Sequence, residues 1–319
     1  MKNPYVSRRA VLGGLGFVAL PLPLRAQAAL DVVATTGMIA DTAAVIGGDG
    51  VLMRGLMGPG VDPHAYRQTR SDIAAMAGAD LILWHGLYLE AQMEDFLLDL
   101  GQSRRVVAVG EGVPEEKLLA HDDYPDRFDP HIWMDPTLWV HVISGILDAL
   151  SELAPDRATD FVTSAQALTL EAVALDAYAR TVLGSVPPEA RVLVTAHDAF
   201  KYFGRAYGFE VLGLQGISTE SEAGVARVGE LVQTLVDRRI GAVFVESSVS
   251  DRGLRALIEG AAAQGHEVRI GGELFSDAMG APGTYEGTWL GMIDHNMTTI
   301  ARALGGSATP GGRFGRLAT

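Results

Sequence analysis

The chain has 319 residues, 48% of them apolar, which is enough for large cores and suggests about two domains. It contains no cysteine, so disulfides, iron–sulfur clusters, thiol nucleophiles and Cys-based zinc sites are excluded. A formal charge of -14 argues against a nucleic-acid partner, whose phosphates demand Lys and Arg. The chain opens with "MKNPYVSRRAVLGGLGFVALPLPLRAQA": a basic start, a short apolar run and an Ala-x-Ala end at Ala26–Ala28. That pattern predicts an export signal cleaved after Ala28, and Arg8 and Arg9 ahead of the apolar run match the twin-arginine type. Pro21, Pro23 and several glycines interrupt the run, which argues against a permanent membrane span. A periplasmic location is expected, with no membrane insertion once the signal is removed.

From Asp31 onward short apolar runs alternate with helical periodicity. "DVVATT", "VLMRGL", "LILWHG" and "RVVAVG" read as buried strands, separated by "MIADTAAVIGG", "SDIAAMAGA" and "LEAQMEDFLLDLG" as helices. "PTLWVHVISGILDALSELAP" adds another helix. The stretch from Asp156 to Val186 has no Pro and no Gly before Gly184, and reads as one helix of roughly 40 Å. The alternation then restarts, with "RVLVTA", "FEVLGL", "GAVFVE" and "EVRIGG" as strands and a last helix in "TWLGMIDHNMTTIARAL". The predicted fold is α/β: two parallel-sheet lobes joined by a single long helix, with a cleft between them. The expected divisions are 1–28 export signal, 29–155 first lobe, 156–186 linking helix, 187–305 second lobe and 306–319 a frayed Gly-rich tail.

Two Asp-Pro-His triplets stand out, "VDPHAY" carrying His64 and "FDPHIWMDP" carrying His131. Proline restricts its own backbone and the residue before it, so each triplet holds an imidazole on stiff, non-helical chain. His64 follows the second strand, and His131 precedes the last helix of the first lobe. "TAHDAF" places His197 directly after the first strand of the second lobe, and "GGELFSDAMG" places Asp277 after its last strand. Parallel sheets bind ligands outside the carboxyl ends of their strands. Four candidate donors, two from each lobe, therefore converge on the cleft. Three imidazoles and a carboxylate suit Zn²⁺ and are acceptable to Mn²⁺ or Fe²⁺. Taken singly, each has a plainer reading: a surface histidine for His64 or His131, and a helix N-cap for Asp277.

These segments, with "ADLILWHGLYLE", "LQGISTESEAG" and "GTYEGTWLGMIDHN", resemble the TroA-like zinc/manganese receptors of ABC importers, in order and over nearly all of the chain after residue 28. The resemblance implies two lobes bridged by a long helix and a metal held by His64, His131, His197 and Asp277. It also implies a monomer that delivers its ion to a membrane permease. The chain departs from the family pattern at three places. His85 stands where Asn is usual, and is expected to be packed or to orient a neighbour. The 111–128 stretch carries acids and a single histidine, His121, where zinc receptors often have a His-rich loop, and is expected to be a solvated loop. His197 stands where many manganese receptors have Glu. Alternatives are a zinc-dependent hydrolase on the same centre, although "HExxH" is missing, and a receptor for a chelate such as haem or a siderophore.

Overall fold

The computed structural model describes residues 1, 29–122 and 124–317. Apart from Met1, the expected export signal lies outside these residues. Each lobe is built on four parallel strands. In the first lobe β1 (Leu30–Ala34), β2 (Val51–Gly55), β3 (Leu81–Trp84) and β4 (Val106–Ala108) lie in the order β2-β1-β3-β4. In the second, β5 (Val192–Thr195), β6 (Glu210–Gly213), β7 (Ala242–Glu246) and β8 (Arg269–Leu274) repeat it as β6-β5-β7-β8. β3 and β5 are buried at every position, as expected of central strands covered on both faces.

The helices of the first lobe are α1 (Gly37–Gly47), α2 (Arg70–Gly78), α3 (Glu94–Leu100) and α4 (Pro136–Leu153). Local chemistry sets their starts. Thr69 and Asp72 form a capping box on α2, and Asp135 caps α4 by accepting from the Thr137 N–H at 2.9 Å, with Pro136 at the first helical position. α3 begins later than its periodicity predicts. Leu87 and Tyr88, just before the predicted start at Leu89, have φ of 53° and 68°, and the turn they open runs on to Met93. Buried Glu90 fixes that turn by accepting from the His85 and Gly86 N–H groups and from the Thr35 hydroxyl, at 2.8, 3.2 and 2.6 Å.

α5 (Ala158–Gly184) is the long helix between the lobes. Its buried side chains include Phe161, Ala165, Leu168, Ala172, Leu175, Ala179 and Val182, spaced alternately by four and three residues. That repeat keeps one apolar stripe facing inward along the helix. The stripe packs against α1, α4 and α9 (Trp289–Ala303). One continuous hydrophobic core therefore passes from Val32 in β1 through α5 to Phe244 in β7 and Met297 in α9. The second lobe is completed by α6 (Lys201–Tyr207), α7 (Val225–Asp237) and α8 (Arg252–Ala263).

Two expectations change. The 306–319 tail does not fray over its described part: the Arg313 N–H bonds both oxygens of Asp294 at 3.0 Å, and Leu317 is buried. The 111–128 stretch is not simply solvated. Val113 and His121 are buried, Ala120 bridges to Phe128, and the Tyr202 hydroxyl accepts from the Leu119 N–H at 3.0 Å. Both segments gain partners distant in sequence, which their own composition does not announce.

Candidate metal centre

The four expected residues meet. One donor atom each from His64, His131, His197 and Asp277 lies within 4.8 Å of all the others, and every one of the four residues is buried. Nε2 of His131 is 3.3 Å from Nε2 of His64 and 3.4 Å from Nε2 of His197. The Asp277 oxygens lie 3.3 Å from His131 Nε2 and 3.2 Å from His197 Nε2. A tetrahedron whose donors sit about 2.0–2.1 Å from its centre, as around Zn²⁺, has edges of about 3.3–3.4 Å. No helix begins near Asp277; the next starts at Trp289, so the N-cap reading of this aspartate fails.

The repeated triplet has a structural meaning. In both copies the aspartate accepts from the backbone N–H of the histidine two residues on, Asp62 to His64 at 2.9 Å and Asp129 to His131 at 3.0 Å. This Asx turn spans the proline and needs no partner from elsewhere in the fold. The second lobe works differently. His197 leaves the end of β5, and Glu246 at the end of β7 accepts its N–H at 2.9 Å. β5 and β7 flank the point where the strand order reverses, so the crevice there opens onto the histidine.

Carboxylates also fix the ring tautomers. His131 Nδ1 lies 2.7 Å from Asp129 Oδ1, and His197 Nδ1 lies 2.5 Å from Glu246 Oε2. A carboxylate only accepts, so each Nδ1 carries a hydrogen and each Nε2 is the atom that faces the centre. Asp277 Oδ1 is a buried oxygen without a hydrogen bond. Lone pairs facing one another at these separations repel unless protons or a cation lie among them, and the donor set thus fits a divalent ion.

The electrostatics agree. Burial drives His64 down to about 3, so it stays neutral at any physiological pH. Burial also opposes charge on His131, yet Asp129 and Asp277 outweigh it and raise this histidine to about 9. His197 is likewise raised well above the ordinary value, against burial, by Asp277 and Glu246. Asp277 is held well below the usual carboxylate range, again against burial, by His197 and His131.

His85 is not among the converging donors. Its ring is fully buried, edge-on to Trp133 and stacked near Trp139, and its Nε2–H donates to the Pro130 carbonyl at 2.7 Å. It braces the residue just before His131. Glu246 and Asp129 are site residues that the sequence pattern does not single out. The available signal was an acid ending an apolar strand in "GAVFVE", and the aspartate of the triplet itself. Four donors from protein side chains leave a tetrahedral ion no open position, so the hydrolase alternative gains no support here. The chelate-receptor alternative gains none either, since the donors crowd around a point.

Comparison with known proteins gives a consistent picture. The family model of ZnuA, the periplasmic component A of a zinc-uptake complex, matches residues 32–303. The manganese-binding lipoprotein MntA of Bacillus subtilis (strain 168) is 46% identical over 275 residues, covering 86% of this chain and 90% of that protein. The zinc-binding protein TroA of Treponema pallidum (strain Nichols) is 48% identical over 273 residues, covering 86% and 88%. The solved structure of the periplasmic zinc-binding protein TroA from Treponema pallidum superposes with a TM-score of 0.84 at 47% identity, covering 86% of this chain and 99% of that one. The chain belongs to the ZnuA/TroA family of metal-binding solute-binding proteins.

Proposed function

We propose that this protein captures one divalent transition-metal ion between its lobes, on His64, His131, His197 and Asp277, and delivers it to the permease of an ABC importer. The observation that carries the reading is the convergence of four buried donors from both lobes, all within 4.8 Å of one another, with four contacts at 3.2–3.4 Å. The expected setting is the periplasm, reached by a twin-arginine leader ending at Ala28. That part rests on the pattern of residues 1–28 and is checked by fusing them to a folded reporter, with export lost on Arg8→Lys plus Arg9→Lys.

Zn²⁺ is favoured, with Mn²⁺ next. Imidazole nitrogens suit zinc better than manganese, and affinity at such sites rises from Mn²⁺ toward Zn²⁺. Relatives named for manganese and for zinc are almost equally similar, so the donor chemistry rather than the likeness decides. The test is metal analysis of the purified protein, then competition between Zn²⁺ and Mn²⁺ against a chromogenic chelator. His64→Ala or His131→Ala is expected to weaken binding by at least about a hundredfold, since each removes a ligand rather than a ligand's support. Unchanged affinity in both variants would remove the site. His197→Glu exchanges a nitrogen for oxygen and is expected to narrow the gap between the two metals.

A further inference from the structure

Hydrogen bonds join the two lobes at several places. The Trp133 indole N–H donates to the Ser276 carbonyl at 2.8 Å, and the Tyr202 hydroxyl donates to the Asp129 carbonyl at 2.8 Å. The Trp289 backbone N–H donates to Asp41 Oδ2 at 2.8 Å. With the continuous core along α5, these tie the elements carrying His131, His197 and Asp277 into one body. Breaking such bonds leaves buried polar groups unpaired, so a wide hinge opening there is costly.

Residues 216–224, between β6 and α7, are attached differently. Ile217 is fully buried, but Gly216 and residues 220–222 are exposed. The segment lines a cavity of about 620 Å³ together with Asp198, Gln215 and Arg227. The segment nevertheless reaches across to two separate loops of the first lobe. The Thr219 hydroxyl donates to Asp62 Oδ2 at 2.5 Å, and the Gln92 amide donates to Glu220. Asp62 is the residue whose other oxygen receives the His64 N–H at 2.9 Å.

We propose that residues 216–224 are the latch of the cleft and that Thr219 is a positioning residue for the ion, acting on His64 through Asp62. This rests on the metal-receptor reading above. One carboxylate joins the two roles: Oδ1 sets the Asx turn that aims His64, and Oδ2 ties that turn to the opposite lobe. When Thr219 lets go, the His64 loop loses its tether across the cleft while the other three donors remain bound to one another's elements. Exchange of the ion is then governed by a short segment that borders a cavity, and large rotation of the lobes is not required.

The test is chelator-driven release of Zn²⁺ from the loaded protein by stopped flow. Thr219→Val keeps the shape and removes the donor, and is expected to speed release about tenfold, because changes of this kind act mainly on dissociation. Thr219→Ser restores the hydroxyl and should release within about twofold of the parent. Gln92→Ala, which removes the second tie from the other lobe, should also speed release, by a smaller factor. The melting temperature of the metal-free Val variant should match the parent, which separates positioning from a general loss of fold. Equal release rates for parent and Val variant overturn the latch while leaving the metal site standing. Equal impairment of the Val and Ser variants overturns it too. A parent protein that binds no Zn²⁺ at all overturns the receptor reading itself and the latch with it.

Discussion

The two Asp-Pro-His triplets share sequence and Asx turn, yet they tune their imidazoles in opposite directions. His64 is pushed down to about 3, first by burial and then by its cationic neighbours against the pull of Asp277. His131, equally buried, rises to about 9 because Asp129 serves its ring as well as its backbone. In the first triplet the spare carboxylate oxygen goes to Thr219 on the other lobe and never meets the ring. A three-residue motif therefore fixes where the imidazole stands, while the fold decides what the aspartate does with its remaining capacity. One triplet presents a neutral imidazole whose aspartate is bonded to the other lobe. The other presents a strongly basic imidazole braced from behind.

The largest effect that would break this contrast comes from the aspartates. Asp129→Asn keeps an oxygen for the His131 N–H but removes the charge beside Nδ1. It should lower Zn²⁺ affinity about 10–100-fold, the usual cost of losing a ligand's orienting partner. Asp62→Asn should cost less, because Asp62 touches only the backbone of its histidine. Competitive titration of both variants decides, and equal losses would show that the two aspartates do the same work.

A pH series sharpens the contrast. Without metal, His131 and His197 carry protons at neutral pH, so binding must expel them. Zn²⁺ affinity should therefore keep rising between pH 7 and about 9, where sites of ordinary histidines with pKa of about 6.5 would already have levelled off. Metal-free stability should show both triplets. His64 binds fewer protons folded than unfolded, so its contribution grows as pH rises from about 3 to 6.5. His131 binds more, so its contribution is complete below about 6.5 and is lost as pH rises to about 9. Calorimetry in buffers of different ionisation enthalpy counts the protons released. A count of zero at pH 7 would contradict the raised histidine.

Much of this was legible in the sequence because it depends on local pattern. Apolar runs such as "LILW" mark strands buried on both faces, and a 27-residue helix free of interior Pro shows itself by length. The four donors follow from strand ends and stiff loops. What escaped depends on partners far along the chain. Glu246 lies 49 residues from the ring that it orients, and Thr219 lies 157 from Asp62. The late start of α3 escaped because the helical spacing of 89–101 begins inside a turn, running to Met93, that Glu90 holds from within the fold. Nothing in the composition of 306–319 says that Asp294 waits for the Arg313 N–H.

The smallest expected effect on affinity concerns His85, the brace behind the second triplet. Its ring is not one of the converging donors; it holds the Pro130 carbonyl and packs against Trp133 and Trp139. His85→Asn, which installs the residue expected from the family pattern, shortens the side chain, leaves space against the two indoles and puts the Pro130 bond at risk. Loss of a buried hydrogen bond with an acceptor left unpaired costs about 1–3 kcal/mol of stability. Affinity for Zn²⁺ should fall by less than about tenfold, because Asp129 still orients His131 by its own two bonds and supports the ligand independently of the brace. Denaturant unfolding of the metal-free protein measures the first quantity and competitive titration the second. Stability unchanged with affinity down a hundredfold would place His85 in direct contact with the ion. Stability lost with affinity nearly intact would show that the second triplet is aimed by its own aspartate and only steadied from behind.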